Sequence, residues 1–232
     1  MAQSAPSRNT HRRPMAEVRI AMTRETLEGS ALAVALRSAM AARRSIRSYT
    51  DETVPSLVVE RLLRAATLAP SAHNRQPWRF AVLRAPETKA KLARAMGERL
   101  AEDRARDGDD AAAIARDVAR SFARITGAPV VLVVCVGLAE MDAYPDAPRA
   151  RAEFLMAVQS AAMAAQNLLL AAHAEGFAAC WMCAPLFCGD VAAAALALPE
   201  DWQPQGLITL GRAAGAGKER GRKPLDEVVI ER

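Results

Sequence analysis

Two short stretches hold most of the residues that could do chemistry. "RRSIRSYTD", residues 43–51, puts Arg43, Arg44 and Arg47 together with the hydroxyls of Ser45 and Ser48, directly after the apolar run "ALAVALRSAMAA". A solvated basic helix end would have this composition, and so would a socket for an anion. A helix C-terminus carries the negative end of the dipole and gives an anion no help. The attraction would have to come from the guanidinium groups, whose forked, charge-assisted hydrogen bonds suit a phosphate, with the Ser45 hydroxyl as a further donor. The second stretch is "APSAHNRQPWRFAVL", residues 69–83, in which Pro70 and Pro77 bracket Ser71, His73, Asn74, Arg75 and Gln76. An amide side chain offers donor and acceptor together, as the edge of a planar heterocycle requires. Polar loop side chains also serve simply to satisfy their own backbone.

A third cluster, "CWMCAPLFC", contains Cys180, Cys183 and Cys188 and includes a CxxC. A zinc site would want a second such pair or nearby histidines, and the chain has only His11, His73 and His173. The cluster therefore reads as small buried thiols on a strand and the loop after it. Neither a Ser–His–Asp arrangement nor a carboxylate pair stands out.

The elements that must position these residues follow from the apolar patterning. Residues 1–29 are polar at first, with Pro, Ser and Arg, and read as a disordered or loosely attached leader, with Met15 or Met22 as candidate true starts. The body, residues 30–232, reads as one domain without internal repeat or linker. Helices are predicted over Ser30–Ala42 with Ser30 as N-cap, from Pro55, over 87–103 and 109–125, and over Arg151–Glu175. Strands are predicted in "WRFAVLR", "PVVLVVCVG", "FAACWMC" and "GLITLGR", with a short alanine-rich helix between the last two. Helices outnumber strands and do not alternate in clean βαβ units, which predicts an α+β fold.

Composition limits the partners. A hydrophobic share of 51% supports a real core, while 4% aromatics and abundant alanine predict closely packed helices. The formal charge of +5 comes from 31 basic and 26 acidic residues that are interspersed, with no aromatic–basic run, so nucleic acid is not the expected partner. No secretory apolar segment follows Met1, and a cytoplasmic location is expected. The stretch "FLMAVQSAAMAAQNLLLAAHAEG" is interrupted by Gln159, Gln166, Asn167 and His173. It reads as a core or interface helix, not a membrane span.

Taken together, "RRSIRSYTD" and "PSAHNRQPW" resemble the flavin-binding signature of the nitroreductase family: an R-[RH]-S-x-[RK] segment that holds the FMN phosphate, then a P-S-x-x-N-x-Q-P-W loop that meets the flavin ring. The likeness continues through "GFAACWMCAPLF" and "KERGRKPLDEVV". It implies a three-layer fold with a central, mainly antiparallel sheet flanked by helices. It also implies a domain-swapped homodimer, with FMN sites across the interface and the C-terminal segment wrapped onto the partner. For the phosphate it implies Arg43, Arg44 and Ser45, completed by Arg220 and Arg222, with Lys223 a weaker candidate. For the ring it implies Arg47 near the N(1)–C(2)=O edge and the loop of Ser71, Asn74 and Gln76. Ala184, Pro185 and Leu186 would lie beside N(5), with the Leu186 N–H as the expected contact because Pro185 has none. Trp181 is expected to pack in the core.

The implied activity is transfer of hydride, through FMN and in a ping-pong cycle, from a donor such as NAD(P)H to an electron-poor small molecule. No catalytic side chain is required. Within the family, "MDAYPDAPRARAEFLMAVQSAAMAAQNLLLAA", "WMCAPLF" and "LALPEDWQPQGLITLG" look most like the reductase domain of the bifunctional protein of coenzyme F-420 biosynthesis, which reduces a phosphate-containing deazaflavin precursor. A chain of 232 residues has room only for that half. Arg149 and Arg151 are then candidates for an acidic substrate, although scattered arginines also serve solubility. A general nitro or quinone reductase, an enzyme that consumes its flavin, and a non-catalytic flavin or F-420 binding module are the alternatives.

Overall fold

The computed structural model describes residues 30–232, so the predicted leader of residues 1–29 lies outside the described residues. The chain divides into two units, one ending at Ser38 and one running from Ala39 to Arg232. In the first, Ser30 Oγ accepts from the Ala33 N–H at 3.3 Å, the expected N-cap of helix α1 (Ala31–Ala42).

The second unit is a sheet between two helical layers. Helix α2 (Ser56–Thr67) leads through a 3₁₀ turn (Ala72–Asn74) into strand β1 (Trp78–Leu83). Helices α3 (Pro86–Arg106) and α4 (Ala111–Thr126) precede strand β2 (Val130–Gly137), and the long helix α5 (Ala147–Ala174) precedes β3 (Ala178–Met182). A single turn, α6 (Ala184–Phe187), and helix α7 (Gly189–Leu196) lead to β4 (Trp202–Gly211), and a 3₁₀ turn (Leu225–Glu227) lies near the C-terminus. The sheet order is β1-β2-β4-β3, every pair antiparallel.

β2 is buried on both faces, as its unbroken apolar run predicts. Val130, Leu132, Val134 and Val136 face one core with α2 and α5, and Val131, Val133 and Cys135 face another with α3, α4 and α7. α5 has the length and hydropathy of a membrane-crossing helix. Its Ala157, Ala161, Ala164, Leu168 and Ala172 are buried in the first core, where small side chains let it lie close to the sheet.

β4 starts four residues earlier than predicted. Pro204 argues against a strand, but it sits beside an irregularity where the β2–β4 pairing passes from Val134↔Gly206 to Cys135↔Pro204. Gln205 is the extra, unpaired residue of that β-bulge.

Candidate functional site

The basic segment leaves α1 and runs along the outer edge of β3. Ser45 makes a parallel bridge to Ala179, and the Ile46 N–H donates to the Ala179 carbonyl at 3.4 Å. The chain then crosses to the end of β4, where the Thr50 N–H donates to the Arg212 carbonyl (2.9 Å) and the Ala214 N–H to the Ser48 carbonyl (3.1 Å). Tyr49 fixes this path. Its hydroxyl donates to the Ile46 carbonyl at 2.6 Å and lies 2.7 Å from Thr209 Oγ1, and burial pushes the phenol well above its ordinary range.

A cavity of about 550 Å³ opens between this segment and the chain after β4. Arg43, Arg44, Ser45, Arg47, Arg124, Lys218, Arg220 and Arg222 line it, together with the small residues Ala214–Gly217. The approach of the two walls is close: a Cβ on Gly217 would lie 2.5 Å from Arg44 Cβ. The sequence reading thus finds five of its arginines and Ser45 in one place. It missed Arg124 and Lys218. "AAGAGK" directly after the last strand was the available signal for Lys218, since a small-residue loop lets the backbone approach a ligand. Arg124 sits among the other charges of α4, and only the packing distinguishes it.

The electrostatics of this cavity are unbalanced. Elsewhere arginines meet carboxylates: Arg61 with Glu175, Arg75 with Asp142, Arg99 with Asp190, Arg104 with Asp109 and Asp117. Among the described residues, Arg43, Arg47 and Arg124 have no carboxylate within 4.0 Å. Arg124 is half-buried, and burial together with the like charges of Arg47 and Arg120 pulls its guanidinium below the ordinary range. Arg44 is partly committed: it donates to the Ala41 and Arg43 carbonyls and pairs with Glu219 at 3.5 Å. Arg222 donates to the Arg220 and Gly221 carbonyls. Lys223 pairs with Glu227 at 3.5 Å and does not line the cavity.

The second motif is elsewhere. Ser71, Asn74 and Gln76 precede β1, at the opposite edge of the sheet from Ser45 and at the opposite end of β4 from Ala213. Four strand spacings across and about seven residues along place them roughly 30 Å from the basic cavity. Their loop is unusual in itself. His73, Asn74 and Gln76 have φ of 50°, 54° and 51°, and the Gln76 N–H donates to Ser71 Oγ at 3.0 Å. Asn takes that conformation readily, and the other two do so at a cost of about 1 kcal/mol or more each. Arg75 anchors the loop by donating to the Glu140 carbonyl (2.8 Å) and pairing with Asp142 (2.5 Å).

Other expectations are placed as follows. Ala184, Pro185 and Leu186 form α6 at the end of β3. The Leu186 N–H, the expected flavin contact, donates within this turn to the Cys183 carbonyl at 2.9 Å. Trp181 lies over Gly206, where an added Cβ would be 2.3 Å from its Cζ2, so it packs on the sheet as expected. Its Nε1 donates to Cys183 Sγ at 3.1 Å. Cys180 is buried within β3, whereas Cys183 lies just past the strand's end and is exposed. Arg149 pairs with Asp146 and stands 5.2 Å over the Tyr144 ring, so its charge is already met inside its own helix start. Arg151 is exposed near the start of α5, just past its first turn.

Comparison with known proteins agrees with this architecture. A protein of Thermus thermophilus named NADH dehydrogenase is 31% identical over 84% of this chain and 95% of its own length. A Methanothermobacter thermautotrophicus protein that bears the name NADH dehydrogenase/NAD(P)H nitroreductase is 30% identical over 67% of this chain, and the match spans only 64% of that relative. The FMN complex of a nitroreductase from Desulfovibrio desulfuricans superposes with TM-score 0.64 at 29% identity, covering 85% of this chain and 96% of that one. A BluB-like flavoprotein of Clostridium difficile, 22% identical with TM-score 0.68 over 84% of this chain and 98% of its own, shares the fold. The nitroreductase family model matches residues 40–212, which span every strand of the sheet and the basic segment, and the chain belongs to that family.

Proposed function

We propose that the protein is an FMN-dependent oxidoreductase that passes reducing equivalents from NAD(P)H to an electron-poor small molecule. The observation that carries this reading is the basic cavity, in which Arg43, Arg47 and Arg124 converge without carboxylate partners. Uncompensated guanidinium groups repel one another, and a bound dianion removes that cost. The residues present therefore fit a flavin phosphate. Arg43, Ser45, Arg220 and Arg222 would hold it, with Lys218 at the rim and Arg44 contributing in part. Arg47, reinforced by Arg124, would keep positive charge at the N(1)–C(2)=O edge of the ring, where reduction accumulates negative charge. FMN, when bound, supplies the hydride chemistry, and the chain supplies position, electrostatics and exclusion of water.

The ring-facing loop of Ser71, Asn74 and Gln76 is too distant to serve the cavity of its own chain. A homodimer, in which each loop completes the partner's site, resolves the separation. The acceptor is proposed at two levels. The relatives' names favour general NAD(P)H-dependent nitroreductase chemistry. The local likeness to the F-420 reductase domain, with surplus cations such as Lys218 around the cavity, favours a phosphorylated deazaflavin precursor.

A visible spectrum of the purified protein, before and after anaerobic NAD(P)H, tests the reading. A flavin band that bleaches is expected. A colourless protein that fails to take up added FMN would overturn it.

A further inference from the structure

The loop before β1 is held in place by residues that the flavin signature does not contain. His73, Asn74 and Gln76, three residues of four, take the left-handed conformation, and none is glycine. Such backbone persists only where its surroundings over-determine it. Here they do. The Asn74 N–H donates to the Ser71 carbonyl and the Arg75 N–H to the Ala72 carbonyl, both at 3.0 Å, and Ser71 Oγ takes the Gln76 N–H. Arg79 Nη1 donates to the Gln76 carbonyl at 2.9 Å. The side chains of Asn74 and Gln76 are exposed, and among the described residues neither amide makes a hydrogen bond. Ser71 thus serves the loop's own backbone, while the two amides serve nothing within the chain.

Arg75 ties this loop to the segment after β2, through the Glu140 carbonyl and the Asp142 carboxylate. Asp142 is tied in turn: its N–H donates to Oε1 of Glu153, on α5, at 3.1 Å. Two features of this path work against stability. Arg75 Nε is buried without an acceptor. Glu153 is 5% exposed and has no cation within 4.0 Å among the described residues. An orphaned donor and a buried, unpaired carboxylate are both costly. Backbone strain, orphaned donor and buried charge therefore coincide on one path, which runs from α5 through Asp142 and Arg75 to the two free amides.

We infer that Arg75, Asp142 and Glu153 are positioning residues for the flavin ring. They fix the loop in the conformation that presents the Asn74 and Gln76 amides, so the ring meets donors and acceptors already in place. The inference rests on the FMN reading above and adds to it three residues that act through others and touch no flavin themselves.

The test is FMN titration of the full chain and its variants, read by affinity, by the visible spectrum of the bound flavin and by the Tm of the FMN-free chain. Arg75→Met removes both ties and the orphaned Nε while keeping an unbranched stem. Its FMN affinity should fall about tenfold, because the ring-competent loop becomes a minor population. At saturation its flavin band should lose the resolved shoulders of the natural complex and approach that of free FMN. Arg43→Ala, a change in the phosphate socket, should weaken binding with those shoulders intact. The FMN-free Tm of Arg75→Met should stay within about 2 °C of the natural chain's. Asp142→Ala should weaken binding in the same way, and the double variant should bind no more weakly than Arg75→Met, since both changes break one path. Glu153→Gln, which keeps an acceptor oxygen, should restore the FMN affinity that Glu153→Leu loses. Natural affinity and spectrum in Arg75→Met, a Tm loss in place of the spectral change, additive losses in the double variant, or a bound flavin that already looks free in the natural chain would each overturn the positioning role. If Arg75→Met does not fold, Asp142→Ala, a change at an exposed side chain, decides by the same readouts. A natural chain that takes up FMN and bleaches with NAD(P)H, while these variants hold FMN unchanged, sinks this inference alone. A natural chain that takes up no FMN sinks the reading beneath it as well.

Discussion

Arg124 stands between Arg47 and Arg120 on the wall of the basic cavity, half-buried, and of the three only Arg120 has a carboxylate, from Asp117. In a scaffold such a residue would be a liability, and in a phosphate-binding or ring-binding site it is an asset. Arg124→Ala is expected to weaken FMN binding by about 10- to 100-fold, the range for loss of one charge-assisted contact. The same change should leave the Tm of the FMN-free chain unchanged or higher, because like-charge repulsion is relieved. Thermal melts with and without FMN check both. A fall in the FMN-free Tm with unchanged FMN affinity would assign Arg124 to the scaffold. This residue also marks the limit of reading the sequence. Arg43, Ser45 and Arg47 declare themselves because they crowd one short segment. Arg124 is one arginine of several on a charged helix, and its role depends on where α4 ends relative to a segment more than 70 positions earlier.

At the scale of elements, the contact between β3 and β4 depends on one glycine. Trp181 packs against Gly206, and a methyl group there would sit 2.3 Å from the indole. Gly206→Ala should cost about 1–3 kcal/mol by overpacking, a fall in Tm of about 3–10 °C for a chain of this size. Gly215→Ala, where an added Cβ meets nothing within 4 Å, is the matched control and should be neutral. Equal melting of the two variants would show that the indole can move aside. The elements themselves were largely legible. β2 reads as a strand buried on both faces because seven of its eight residues are apolar without interruption. The long helices were legible because their apolar positions repeat at helical spacing, although α5 starts at Ala147, four residues before the expected Arg151, on an Asp146 cap. The first residues of β4 carry a contrary signal, a proline inside a strand, and the bulge that accommodates Pro204 is a property of the pairing with β2, invisible in β4 alone.

At the scale of the molecule, the two flavin motifs lie at opposite corners of one sheet, and a dimer with sites shared between chains makes a sharp expectation. Take one variant disabled in the basic segment, Arg43→Ala with Arg47→Ala, and another disabled in the loop, Asn74→Ala with Gln76→Ala. Each alone should bind FMN poorly. Co-refolded or co-expressed, they should recover up to about one intact site per mixed dimer, because the intact half of each variant meets the intact half of the other. If each site lay within a single chain, mixing would recover nothing. The separation of the motifs could not be read from their spacing of some twenty residues in sequence, since that distance says nothing about which edge of a sheet each reaches.

The strand order carries one more implication, for how the chain comes to be folded. Among the described residues, β4 is the last strand to leave the ribosome, yet it lies between β2 and β3 and is the strand that joins them. Until residue 211 has emerged, β3 has no neighbour on its inner side and β2 has only β1. β2, buried on both faces, must therefore wait through about 70 residues of synthesis with one edge open, several seconds at ordinary elongation rates. The nascent chain has a built-in interval of exposure, and the closing of the sheet is a single late event rather than a gradual one.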